Sequence, residues 1–355
     1  MIGNRKFEHI EIAGADVGNG YPCFIIAEAG VNHNGSRSLA MELVDAAAKA
    51  GANAVKFQTF HSGDLAVPSA PKAQYQKSNC GEGENQLEML KKLELPDDAW
   101  QEIKEYATRR NIVFLSTPFD NQSAKLLYDL EMPAFKIASG EITNMPFLRY
   151  VAGFGIPVIL STGMSSLSDV QGAVSEIQRA GNNRIVLLHC VSNYPARPED
   201  VNLKAMRTLA DMFSLPVGFS DHTEGNEIAI AAVAMGACII EKHLTTDLNL
   251  PGPDHKASQT PSNFAALVRG IRIVESAMGD GKKEPKASEK DVSTVVRRSL
   301  VAARDIRPGT KLSMDDIEIK RPGFGIPPSM LNAVLGREIK VSITAGTLFS
   351  LEMIQ

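Results

Sequence analysis

Cysteine is scarce in this 355-residue chain, and Cys23, Cys80, Cys190 and Cys238 lie far apart with no CxxC pair among them. That spacing excludes a disulfide framework or a cysteine zinc site as the basis of the fold, and it fits a reduced, cytoplasmic setting. Long apolar runs are missing as well, so nothing reads as a transmembrane helix, which needs about 18 or more apolar residues in a row. The first twenty residues mix Arg5, Lys6, Glu8, Glu11 and Asp16 among apolar ones and contain no signal-peptide core. Surplus positive charge is also absent, since 37 basic residues against 41 acidic ones leave a net charge of -4. Such a chain has no electrostatic footprint for nucleic acid or an anionic membrane. An anionic ligand must therefore be held by local lysines and backbone amides.

What is present is enough apolar material, 44% of residues, for a well-packed core. The length suits a barrel of roughly 250 residues plus a small appendage. Eight short β-rich runs follow one another: Phe24–Glu28, Ala54–Gln58, Ile112–Ser116, Ala134–Ala138, Val158–Ser161, Ile185–Cys190, Pro216–Ser220 and Ala237–Lys242. Between them, Ser36–Ala50, Asp97–Arg110, Asn121–Leu130, Ser168–Ala180, Asn202–Phe213 and Asn226–Met235 carry apolar residues at helical spacing, several behind a Ser, Asn or Asp cap. Repeated alternation of this kind predicts an α/β fold, a closed (β/α)8 barrel, with a doubly wound sheet as the alternative. The polar, Lys-rich stretch Gly279–Ser293 has linker composition. After it, Ser299–Gln355 breaks into short β-like runs at RPGT, RPGFG and TAGT. The expected division is a barrel over 1–280, a linker over 281–297 and a compact β-rich domain over 298–355.

Catalytic groups of such barrels sit at the carboxyl ends of the strands. Here those ends form a polar ring: Glu28, Lys56 and Gln58, Ser116 and Thr117, Lys136 with Ser139 and Glu141, Ser161 and Thr162, His189 and Ser192, Ser220 and His222, Glu241 and His243. Lys56 and Lys136 interrupt otherwise apolar strands, and a buried lysine is costly unless it is paired or binds an anion. They read as clamps for phosphate and carboxylate, as structural ion pairs with Glu28 or Glu241, or as a Schiff-base nucleophile. Ser116-Thr117 and Ser161-Thr162 offer hydroxyls and amides to phosphate oxygens, or simply cap the next helix. His222 and His243 end two successive strands and suit a divalent ion such as manganese, although two imidazoles do not separate it from zinc or iron. His189 is left to a hydrogen bond within the barrel. Asp254, on the turn-rich LPGPDHKAS loop, is placed to hold sugar hydroxyls or only to shape a turn.

The segments IIAEAGVNHNG, VKFQT, FLSTPFD, FKIASGE, ILSTGM, LLHCVSNYP, GFSDHT, EKHLT and PGPDHKAS occur in this order and together resemble the sialic acid synthase family across nearly the whole chain. RRSLVAARDIRPGT and KRPGFGI resemble the antifreeze-like SAF domain of that family. The resemblance implies a TIM barrel with an N-terminal β-hairpin cap, followed by a SAF domain of β-clip type. It implies a domain-swapped homodimer in which one subunit's C-terminal domain covers the other's barrel mouth. It further implies that Lys56, Thr117, Lys136, Ser139, Ser161 and Ser220 bind phosphoenolpyruvate. His222 and His243 would hold Mn2+ or Mg2+, while Glu28, Gln58, Glu141, Tyr194 and Asp254 meet the acceptor sugar. Arg321 would reach its N-acyl group across the dimer. Val191 and Ser192 stand where sialic-acid-making members carry Thr-Asn, and the wording VSNYP resembles the branch with legionaminic acid synthases and the spore-coat polysaccharide protein. On that resemblance either Ser192 substitutes for the family's Asn or its neighbour Asn193 takes the contact.

The activity so implied is condensation of phosphoenolpyruvate with N-acetylmannosamine or a related N-acylated sugar, with Glu28 or Glu141 assisting proton transfer beside Lys56 and Lys136. Two rivals stand against it. A lysine Schiff-base aldolase would use Lys56 or Lys136 covalently, and a non-catalytic carbohydrate-binding protein would leave the polar ring without a task.

Overall fold

The computed structural model describes residues 9–81 and 83–355; the first eight residues, on which part of the leader reading rests, lie outside it. Two compact units divide between Gly279 and Asp280. The first opens with an antiparallel hairpin of β1 (Ile10–Ile12) and β2 (Ala15–Val17). Ala13 in its turn shares a shallow cleft with Asn111 and Pro133, and Asn19 shares another with Pro216 and Cys238, so the hairpin region lies at the amino ends of the barrel strands.

Eight parallel strands follow: β3 (Phe24–Gly30), β4 (Ala54–Thr59), β5 (Val113–Pro118), β6 (Phe135–Ile137), β7 (Val158–Ser161), β8 (Ile185–Cys190), β9 (Val217–Asp221) and β10 (Ile239–His243). Their order around the sheet is β5-β4-β3-β10-β9-β8-β7-β6, which returns β10 beside β3 and makes a nearly closed TIM-like barrel. The seam lies between β5 and β6, where the Ser116 amide donates to Met132 Sδ at 3.0 Å rather than to a strand carbonyl. All eight runs read from the sequence are strands, because strands covered on both faces are continuous apolar segments with sharp ends.

The helices obey their caps. Arg37–Ala50 starts at Ser36, whose hydroxyl accepts from the Leu39 amide, and stops at Gly51 with φ 84°. It lays Ala40, Leu43, Val44 and Ala47 on the sheet, the i, i+3, i+4, i+7 pattern of a half-buried helix. Helices Gln86–Leu93, Met145–Ala152 and Pro261–Met278 are additional to those read from the sequence. Among the described residues no helix is long and apolar enough to cross a membrane.

Within the stretch read as a linker, a 3-10 turn (Ala287–Glu289) runs into a short helix, Lys290–Val296. Glu289 accepts from the Lys286 amide at 2.8 Å and so caps the 3-10 turn that leads into that helix, which the Gly323 amide joins through the Thr294 carbonyl. The second unit pairs β11 (Ser299–Ala302) with β12 (Ile317–Lys320) and adds single bridges such as Ile306–Ile343 and Ile339–Ile354. Leu300, Ile306, Leu312, Ile326, Ile339, Ile343 and Phe349 form its own core.

Candidate active site

At the carboxyl ends of the barrel strands lies a cavity of about 440 Å³. Strand alternation decides which side chains enter it. On β4, Lys56 and Gln58 line the cavity while Phe57 packs outward on Trp100 and Phe114. On β9 and β10, Ser220, Glu241 and His243 line it while Asp221 and Lys242 form a separate buried ion pair of 2.6 Å. The cavity is completed by Glu28, Thr117, Lys136, Ser139, Ser161, Ser192, Tyr194, His222 and Asp254.

One barrel residue of the sequence reading is not brought there. Glu141, at the end of a 3-10 turn (Ser139–Glu141), turns its carboxylate to the Asn144 side chain at 2.8 Å, and Asn144 caps the next helix. Arg321 is an exposed residue of the second unit. His189 is also outside the lining, with Nε2 2.6 Å from the Val201 carbonyl oxygen.

The charged centre is built from four buried groups. Lys56 Nζ lies 2.5 Å from Glu28, 3.5 Å from Glu241 and 3.1 Å from the Thr117 hydroxyl. Lys136 Nζ reaches Glu241 at 3.6 Å, and Ser220 donates to Glu241 at 2.8 Å. Glu241 is thus a shared counter-ion. It reads in the sequence as an ion-pair partner but not as part of the ligand site, although it lies on the same strand end as His243. Burial pushes its carboxyl up, but Lys136 and Lys56 outweigh that and hold it at about 2. Burial, reinforced by Glu241 and opposed by Lys56, raises the Glu28 pKa. Burial would lower Lys56, yet Glu241 and Glu28 keep it above the ordinary lysine value. In Lys136 desolvation wins, aided by the Lys56 charge, and its pKa falls.

Beside this centre stand the two imidazoles, 5.6 Å apart between ring centroids. Burial lowers both pKa values, and for His243 the neighbouring His222 adds to the effect. His222 Nδ1 lies 2.7 Å from the Val191 carbonyl oxygen, which fixes its proton on that side and leaves Nε2 as a lone-pair donor. His243 Nδ1 is buried without a partner. Paired neutral imidazoles with carboxylates nearby are a donor set that suits a divalent ion. In a three-donor cluster found elsewhere, His61 with Asp64 and Asp120, two of the groups are engaged: Asp120 accepts from the Ser123 amide at a helix start and sits 3.2 Å from His61. Asp254 is buried, and desolvation together with Glu28 raises its pKa to about 7.

The smaller polar groups tie the rim together. Ser139 accepts from the Gly163 amide at 3.0 Å and touches Cys190 Sγ at 3.2 Å. Tyr194 packs on His222 with centroids 4.2 Å apart, and Tyr75 stacks on Tyr194 at 5.0 Å. Tyr75 comes from a long excursion after β4, on a short helix, Gln74–Cys80, that buries no residue fully.

Residues 43–283 match the model described as the NeuB family, and 297–355 match the SAF domain. The chain is 47% identical to N,N'-diacetyllegionaminic acid synthase of Legionella pneumophila, with both chains fully covered. It is 35% identical to human N-acetylneuraminate-9-phosphate synthase over 92% of this chain and 91% of that one. Among solved structures, a spore coat polysaccharide biosynthesis protein from Bacillus subtilis superposes with a TM-score of 0.67 at 36% identity, covering 98% and 99% of the two chains.

Proposed function

The chain belongs to the NeuB family and carries a SAF domain, and from that premise we propose that it is a nonulosonic acid synthase. It condenses phosphoenolpyruvate with an N-acylated mannosamine-type sugar, either N-acetylmannosamine or 2,4-diacetamido-2,4,6-trideoxymannose, and releases phosphate. The observation that carries the reading is the convergence of Lys56 and Lys136, from different strands, on one carboxylate inside a cavity edged by Thr117, Ser139, Ser161 and Ser220. Two buried ammonium groups with hydroxyls around them are an anion site, and phosphoenolpyruvate carries a phosphate and a carboxylate.

Lys56 and Lys136 neutralise the two anionic groups and hold the methylene carbon toward the acceptor. That carbon adds to the aldehyde, forming the new carbon–carbon bond, and positive character builds at the carbon bearing phosphate. Water adds there and loses a proton. The tetrahedral hemiketal phosphate then breaks its carbon–oxygen bond and expels phosphate with the bridging oxygen. The aldehyde oxygen takes up a proton, so phosphoenolpyruvate, acceptor and water give the sugar acid and inorganic phosphate. A divalent ion, Mn2+ or Mg2+, held by His222 and His243 would supply Lewis-acid polarisation of the acceptor carbonyl. Of the two carboxylates considered for proton transfer, Glu28 is favoured over Glu141 because it lines the cavity and burial raises its pKa.

Gln58, which donates to Glu28 at 3.2 Å, contacts the acceptor together with Tyr194 and Asp254. Ser192 takes part in holding phosphoenolpyruvate. The proposal extends to a domain-swapped homodimer in which the partner's SAF domain brings Arg321 to the N-acyl group, and to a cytoplasmic setting where phosphoenolpyruvate is available. Phosphate release from phosphoenolpyruvate, with Mn2+ and a panel of N-acyl aldoses, tests the reading; release with none of them contradicts it. A Schiff-base aldolase would instead turn over in chelator and be trapped by borohydride with pyruvate.

A further inference from the structure

The cavity has two unlike sides. Its charged groups stand on strand ends and, for Asp254, on the loop after β10, whereas Leu65, Met89, Leu90 and Leu93, together with Gln76 and Gln86, come from the excursion between β4 and the helix Asp97–Arg109. These apolar residues belong to a packed cluster of their own with Val31, Phe60 and Ala66, separate from the barrel core. The excursion is fastened across the mouth: Asn79 donates to the Pro253 carbonyl oxygen at 2.6 Å, beside Asp254. Tyr75 on the same helix as Asn79 stacks against Tyr194 with an interplanar angle of 30°. The apolar wall is therefore built before any ligand arrives, and the protein presents it to whatever the charged floor holds.

We infer that this wall, centred on Leu90 and flanked by Tyr75, is the specificity-determining part of the acceptor site and selects a sugar bearing methyl groups, such as an acylamino or deoxy substituent, over one bearing hydroxyls there. The inference rests on the synthase reading above. The lysines and histidines hold the reacting ends, so the rest of the acceptor is left facing the excursion. A hydroxyl against Leu90 loses its water without gaining a partner, while a methyl gains burial. An apolar pocket rejects an added hydroxyl by no more than about 100-fold, which sets the scale of the preference.

The test compares kcat/KM for 2,4-diacetamido-2,4,6-trideoxymannose and N-acetylmannosamine in the full-length protein and in Leu90→Gln and Tyr75→Ser. The wild type is expected to favour the diacetamido sugar by roughly 10- to 100-fold, and each variant to shrink that ratio to within about threefold while the KM for phosphoenolpyruvate stays within about twofold. If Leu90→Gln does not fold, Tyr75→Ser, at a half-buried position, decides alone. Turnover of both sugars without preference, or variants that slow both equally, overturns the inference and leaves the synthase reading standing. No phosphate release with either sugar overturns both.

Discussion

Lys56 and Lys136 share one counter-ion, with Glu241 lying 3.5 Å from the first ammonium and 3.6 Å from the second. Two buried positive charges are tolerated side by side because this carboxylate, with Glu28, neutralises them. A ligand carrying two anionic groups can then bind without importing either lysine from solvent. Lys56→Met or Lys136→Met is expected to lower kcat/KM for phosphoenolpyruvate by at least about 100-fold, the scale of losing one preorganised charge contact. Steady-state kinetics against each substrate separately check this; a change confined to the acceptor KM contradicts it.

Glu241→Gln removes the shared carboxylate and leaves Lys136 without its counter-ion. Breaking a buried pair on one side costs about 3 kcal/mol or more. Urea unfolding at neutral pH should show a loss of that size, and a variant as stable as the parent would mean that Glu241 does not balance the lysines.

His222→Ala and His243→Ala should each abolish turnover and weaken Mn2+ binding, followed by the electron paramagnetic resonance of the free ion. Their backbone is secured from behind by the Lys242–Asp221 pair, itself fully buried, so loss of an imidazole should leave the fold intact. Full activity of either variant in metal-free buffer would remove these residues from metal binding.

His33 gives the protein an acid-sensitive step. Burial, with His255 nearby, lowers its pKa to about 4, whereas the unfolded chain would titrate near the ordinary histidine value of about 6.5. Between those values the unfolded state binds the extra proton, so the His33 contribution is present above about pH 6.5 and is lost as pH falls toward 4. At pH 4.5 the loss should be about 2 kcal/mol relative to pH 7, and His33→Gln should lack that component. Identical pH profiles for the two proteins would contradict the assignment.

The barrel was legible because parallel strands covered on both faces are uninterrupted apolar runs, and because Ser36 announces a helix start; the caps Asp120 and Ser166 lie one and two residues before the starts read at Asn121 and Ser168. The candidate site was legible where strand alternation alone aims a side chain, as at Lys56, Ser220 and His243. It was not legible where a turn redirects the chain. Glu141 follows Ser139 by only two residues, yet the 3-10 turn sends its carboxylate to Asn144. Tyr75 was missed because its helix Gln74–Cys80 buries no residue fully, while Leu90 was overlooked although Asn85 and Glu88 form a capping box at its helix start. The helix Lys290–Val296 was hidden by a composition that suits solvent, and it has no side-chain cap at its start to announce it.

The central claim is the condensation itself, and the fate of one oxygen atom tests it most directly. Phosphoenolpyruvate labelled with oxygen-18 at the bridging position, incubated with Mn2+ and the N-acyl aldose that turns over, should yield labelled inorganic phosphate and an unlabelled acid three carbons longer than the acceptor. Label retained in the acid, or phosphate released without a longer product, would contradict the account.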